Sequence, residues 1–362
     1  MAGLISYCFR NGEGRILSAK NESISMLPAS NMKIISGYAA YRTLGPQFTL
    51  KTKFACEDHR LLISGDPCPL LGSEDLSKML SEMNVKSLDN MVFDNTVMDN
   101  SQFGYGWEID DIGACYQSRI VPYAINEGCT DSADNIISPL LQSEEVHAKC
   151  RYSVPDQYYN FSYSIGKVLG AKNGPTYEIN EVENVGNVYV HQERLTDILK
   201  HIEIHSCNFS IEVLTKYLSY IEGERKGNWN DSVEIIGKMI SKMGINTEGI
   251  RIVDGSGLSR HNLLTTSFLS EFIWNVGKEG DYDFIHFLPS PGNGTISGRL
   301  ADLKEMNINA KTGSFSYCSS LSGYIGKLDV YFSIFLNNFN LDDSEIASKV
   351  DDTLRSFVNG NL

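Results

Sequence analysis

At 362 residues the chain is long enough for two domains. Its 42% hydrophobic and 21% charged content is that of a globular protein, with no low-complexity tract and no internal repeat. The net charge of −14 argues against a nucleic-acid partner, because phosphate binding needs clustered Lys and Arg, and no run approaches the ~20 apolar residues of a membrane span.

The first twenty residues carry no basic stretch followed by an apolar core, so no secretory signal is expected in this chain. Instead LISYCFRN and RILSAK read as two strands joined by a turn through Gly12 and Gly14. Pro28 to Leu44 places Met32, Ile35, Ala39 and Ala40 at helical spacing and stops at Gly45-Pro46. From 56 to 189 the composition shifts to turns, many Tyr, Asn and Asp, and period-two patches, which predicts a separate strand-rich module. Helical periodicity returns at Arg194 to His205, Phe209 to Tyr220 and Asp231 to Met243. Three β-type runs fill residues 309 to 339, and an amphipathic helix is expected from about Ser344 to Phe357. Strands at both ends with helices between predict an antiparallel sheet that joins the termini and brings Ser30 near Lys311.

The eight cysteines are scattered with no C-x-x-C pair, which predicts free thiols, no zinc site and no redox motif. His201 and His205 have helical i,i+4 spacing, but without a third ligand pattern no metal is expected. No motif asks for a cofactor.

Ser30-Asn31-Met32-Lys33 puts a hydroxyl and an amine on one helix face. A serine is a poor nucleophile until a base takes its proton, and an adjacent lysine can be that base. By itself S-x-x-K is common, and a helix cap with a surface lysine is the ordinary reading. Two further patterns change this. Ser206-Cys207-Asn208 sits between helical segments, where a hydroxyl and an amide two residues apart can relay a proton and hold a substrate amide. Lys311-Thr312-Gly313 opens a strand, where a lysine can bind a carboxylate while a substrate backbone lies alongside. The three in this order are far more specific than any one.

With these motifs, and with LPASNMKIISGYAAYRTLGP, ISGDPCPLLGSEDL, GYGWEIDDIGACYQSRIVPYAIN, RIVDGSGLSRHNLLT and LPSPGNGTISGRL, the sequence resembles the serine D-Ala-D-Ala carboxypeptidases and endopeptidases, the low-molecular-mass class C penicillin-binding proteins. The resemblance covers nearly the whole chain. It implies an α+β transpeptidase-like fold related to serine β-lactamases, with residues 1–55 and 190–362 as the catalytic domain and 56–189 as an inserted β-rich domain. It implies Ser30 as nucleophile, Lys33 as general base, Ser206 as proton relay and Asn208 as holder of the acyl-side amide. Lys311, Thr312 and Ser314 would bind the terminal carboxylate, and Gly313 would be small so that the substrate can approach. The oxyanion would lie between the backbone N–H groups of Ser30 and Ser314. D-Ala-D-Ala-terminated peptides or peptidoglycan would be the substrate, β-lactams covalent inhibitors, and the place of work outside the cytoplasm.

Two alternatives remain at this stage. One keeps the acylating serine in a β-lactamase, an esterase or a peptidase of other D-amino-acid peptides, although no residue to activate a deacylating water is recognisable. The other is a non-catalytic binding protein, against which three intact motifs count. Gly255-Ser256-Gly257 is read as a tight turn, Gly292-Asn293-Gly294 as a loop, and Trp107, Asp110 and Asp111 as internal supports of the inserted module.

Overall fold

The computed structural model describes residues 3–130, 152–182, 188–223, 225–339 and 343–362. Strands β1 (Leu4–Asn11) and β2 (Ile16–Lys20) open the chain, followed by a 3-10 turn at Ala29–Asn31 and helix α1 (Met32–Leu44). Next come β3 (Thr49–Glu57), β4 (Arg60–Gly65), α2 (Ser73–Glu82), β5 (Asn90–Asp94), and the two-residue strands β6 (Cys129–Thr130) and β7 (Tyr152–Ser153). Then α3 (Gln157–Val168), β8 (Thr176–Asn180) and β9 (Val188–Arg194) lead into α4 (Leu195–His205), α5 (Asn208–Glu222), α6 (Trp229–Lys242), α7 (Thr266–Lys278) and α8 (Tyr282–Ile285). Strands β10 (Ile308–Phe315), β11 (Cys318–Ile325), β12 (Val330–Asn337) and helix α9 (Asp343–Val358) close it.

The chain forms two compact units, Met1–Thr43 with Leu199–Cys207 and Val233–Leu362, and Leu44–Ile198 with Asn208–Ser232. Compared with the split at 55/56 and 189/190, β3 and β9 both join the second unit, because they pair with each other from Thr49↔Arg194 to Ala55↔Val188. Residues 208–232 also belong to it.

In the first unit five strands lie in the order β10-β11-β12-β1-β2, all antiparallel, so the two ends of the chain share one sheet as expected. β12 is buried along its whole length because it is covered on both faces, by α7 and by α9. The alternation of side chains along β1 sorts its residues between these helices. Phe9 stacks on Phe357 of α9 at 3.9 Å between ring centroids. On the other face Ser6 shares a hydrogen bond with Thr266 of α7 (2.7 Å) and Arg10 donates to Ser270 (3.3 Å).

The second unit holds a sheet in the order β8-β5-β4-β3-β9, in which β4–β5 and β5–β8 are parallel. Parallel neighbours need a crossover, and α2, with Leu76, Met79 and Leu80 buried, lies in the first of them. This unit is therefore mixed and not simply strand-rich. Helix α3 escapes a sequence reading because QYYNFSYSIGKV is poor in strong helix formers; its N-cap is Asp156, which accepts Tyr159 N–H at 2.9 Å. Cys115 and Cys129 form a disulfide, which corrects the expectation of free thiols for these two. Local turns bring their Cα atoms to 5.7 Å, within bridging range, and nothing in their spacing signals it. Cys8, Cys56, Cys68 and Cys318 are free thiols, and Cys150 lies outside the described residues. Among the supports of this unit, Trp107 packs edge-to-face on Trp229 and Asp111 accepts from Tyr116 Oη. No helix among the described residues is long and apolar enough to cross a membrane.

Candidate active site

Ser30 stands in the 3-10 turn that feeds α1, one turn ahead of Lys33. The turn is made from an unusual backbone: Ala29 has φ of 47°, a region that costs a residue with a Cβ and that recurs where structure is held for function. Lys33 is fully buried, and its Nζ donates to Ser30 Oγ and to Ser256 O, each at 2.8 Å. Its ammonium is thus aimed at the hydroxyl and cannot swing to water. When the amine is neutral, the same 2.8 Å separation carries the proton the other way, from Ser30 O–H to Nζ.

The turn 254–259 does more than the sequence suggests. Asp254 accepts Gly257 N–H (2.9 Å), Ser259 N–H (2.7 Å) and Asn262 Nδ2 (2.7 Å), which folds the loop tightly as expected. That loop then presents Ser256 O to Lys33 and Gly255 O to Ser36 Oγ at 2.6 Å, so it props the buried face of α1. Gly257 has φ of +85°, and a Cβ there would collide with Ala29 O.

Lys311, Thr312, Gly313 and Ser314 lie on β10, the edge strand of the first sheet. Lys311 is fully buried, and Nζ donates to Ser206 Oγ at 2.9 Å. Ser206 follows the end of α4 with φ of 56°, a second strained non-glycine position. Asn31 Nδ2 donates to Lys311 O at 3.0 Å, tying the serine turn to the lysine strand. Thr312 Oγ1 donates to Thr295 Oγ1 at 2.7 Å, and Ser314 is exposed. Gly313 is small for a reason beyond substrate access: a Cβ there would stand 2.8 Å from Pro28 O and 2.9 Å from Ser30 N, and would strike Ser320 Oγ. The glycine lets the strand pass directly against the serine turn.

The first unit thus brings together Ser30, Lys33, Ser206 and Lys311, with Thr312 to Ser314 on the same strand. Asn208 belongs to the second unit, where Nδ2 donates to Tyr116 O at 2.7 Å. His201 and His205 lie side by side on α4, ring centroids 4.7 Å apart.

Glu203 was missed by sequence reasoning. It is fully buried on α4, and burial pushes its carboxyl above the usual range while Lys311, then Lys33, pull it back. Burial likewise pulls Lys311 below the usual lysine range, and Glu203 opposes this. The signal was present: Leu195, Ile198, Leu199 and Ile202 form the buried stripe of α4, and Glu203 continues it at helical spacing.

The chain is 24% identical to a D-alanyl-D-alanine carboxypeptidase DacB of Haemophilus influenzae, over 93% of this chain and 86% of that one. It is 22% identical to a D-alanyl-D-alanine carboxypeptidase of Actinomadura sp., over 86% of this chain and 73% of that one. In fold it is similar to the crystal structure of penicillin binding protein 4 from H. influenzae, with a TM-score of 0.82 at 20% identity, covering 98% and 96% of the two chains. It is also similar to a predatory peptidoglycan endopeptidase of Bdellovibrio bacteriovorus, with a TM-score of 0.62 at 18% identity, covering 100% and 94%. The sequence profile of the D-Ala-D-Ala carboxypeptidase 3 (S13) family matches residues 8–190 and 183–357. The chain belongs to that family, and it is a serine DD-peptidase.

Proposed function

We propose that this DD-peptidase acts on D-Ala-D-Ala-terminated peptides through an acyl-enzyme on Ser30. The observation that carries this is the 2.8 Å hydrogen bond between the buried Lys33 Nζ and Ser30 Oγ. Lys33 takes the Ser30 proton as Oγ attacks the carbonyl of the penultimate residue. The C–N bond then breaks, and the leaving amine takes a proton relayed through Ser206. Lys311, Thr312 and Ser314 receive the terminal carboxylate, and the N–H groups of Ser30 and Ser314 receive the oxyanion. Asn208 is assigned to the acyl-side amide on its motif alone. Water finally releases the acyl group from Ser30.

A β-lactam offers a strained amide and a carboxylate at a similar spacing, so it should acylate the same serine. Opened, its amine stays tethered and obstructs the path of water. Intact-mass spectrometry after incubation with benzylpenicillin should show one added drug mass, placed on Ser30 by peptide mapping, absent in Ser30→Ala and decaying over many minutes. Rapid loss of the adduct with bulk penicillin hydrolysis would make the enzyme a β-lactamase, and no adduct at all would overturn the assignment of the site.

A further inference from the structure

Glu203 is fully buried, yet among the described residues neither carboxylate oxygen has a hydrogen-bond partner. Such a group is costly in either protonation state, because an ionised carboxylate loses its hydration and a protonated one leaves an unmet O–H. Buried charges of this kind persist where opposite charge compensates them. Its surroundings supply that charge. Gly37 is one turn beyond Lys33 on α1, and a Cβ there would lie 3.1 Å from Glu203 Oε1, so the carboxylate rests against the α1 face that carries Lys33. Ser206 lies three residues on, just past the end of α4, and its Oγ accepts Lys311 Nζ.

Resting on the function proposed above, we propose that Glu203 is a positioning residue of the site, whose unpaired carboxylate keeps the buried Lys311 cationic and so sets the pH range for capture of the substrate's carboxylate. The cations whose charge acts on it are Lys33 from α1 and Lys311 from β10. The α8 side chain beside Gly37 is the apolar Phe284, and the titratable residues nearest it along α4 are Lys200, His201 and the exposed His205. Glu203 opposes the fall that burial imposes on Lys311. Without it Lys311 gives up its proton at lower pH, and the cation that pairs with a carboxylate is lost earlier as pH rises.

The test is the second-order rate of acylation from pH 6 to 10, with benzylpenicillin and with its uncharged methyl ester, in wild type and Glu203→Gln. The alkaline limb for the acid should move down by about one pH unit in the variant, about a tenfold loss along that limb, since a unit of pKa is tenfold in the charged fraction. The ester should show no such displacement, and Glu203→Asp should restore the limb in part. A side chain that merely fills space would alter stability and leave the limb in place. An unchanged limb with the acid, or an equal displacement with the ester, overturns the proposal. Glu203→Met, similar in volume and uncharged, repeats the test should the amide fail to fold. A wild type that is not acylated at all overturns the functional reading instead, and the proposal with it.

Discussion

Each unit of this protein buries a lysine, and the two are treated in opposite ways. Lys216, on α5 of the second unit, is fully buried but fully answered: Asp99 pairs with it at 2.6 Å, Ser101 O accepts from it at 2.7 Å, and the Trp229 ring lies 4.5 Å away. Lys311, in the first unit, is as deeply buried but, among the described residues, has only a hydroxyl within 3 Å, and Glu203, whose carboxylate acts on it, has no hydrogen bond to that carboxylate there. Burial pulls both below the usual lysine range, and a carboxylate pushes back in each case, Asp99 through a direct contact and Glu203 through space. A buried cation with its partners in place is part of the framework. One left short of partners is available to an incoming anion, and the substrate's carboxylate is such an anion.

The largest effect that sharpens this contrast concerns the third buried lysine. Lys33→Ala removes the amine held against Ser30, and general-base loss of this kind costs about 10²- to 10⁴-fold, so acylation by benzylpenicillin should all but stop. Near wild-type acylation would mean that another group takes the serine proton.

Lys311→Ala comes next. A charge-assisted contact is worth ~1.5–3 kcal/mol, so kcat/KM for a peptide with a free terminal carboxylate should fall by about 10- to 150-fold, against little change for the amidated peptide. Equal losses on the two peptides would place the lysine's role elsewhere and break the comparison.

Lys216→Met should do the reverse and less. It leaves Asp99 without its cation, but that carboxylate is about one-third exposed and can rehydrate, so the expected loss is about 2 kcal/mol, read as a lower urea midpoint. The acylation rate of the folded variant should equal that of wild type. A rate defect would show that Lys216 is not confined to the framework.

The sequence reached far into this site because its chemistry is written in short local patterns. Ser30 and Lys33 are one helical turn apart, so a few residues fix their encounter, and hydrophobic periodicity marks α1, α4, α5, α6 and α9 to within a few residues. The pairing of the terminal strands followed from strands at both ends of the chain. The extent of the second unit, the Cys115–Cys129 bridge and the helix α3 were hidden, since a weakly helical, aromatic segment takes its structure from packing and not from propensity.

What the sequence by itself determined is the set of reactive groups and their order along the chain. What only the tertiary structure decided is their electrostatic setting. Ser256 O, contributed by a turn more than 200 residues from Lys33, fixes the base. A glycine at 313 lets one strand touch the serine turn. Glu203 reads in sequence as one more acid on an amphipathic helix, and it becomes consequential only where folding removes its water and sets two lysines around it. Burial and charge are properties of the surroundings, and surroundings are assembled from distant parts of the chain.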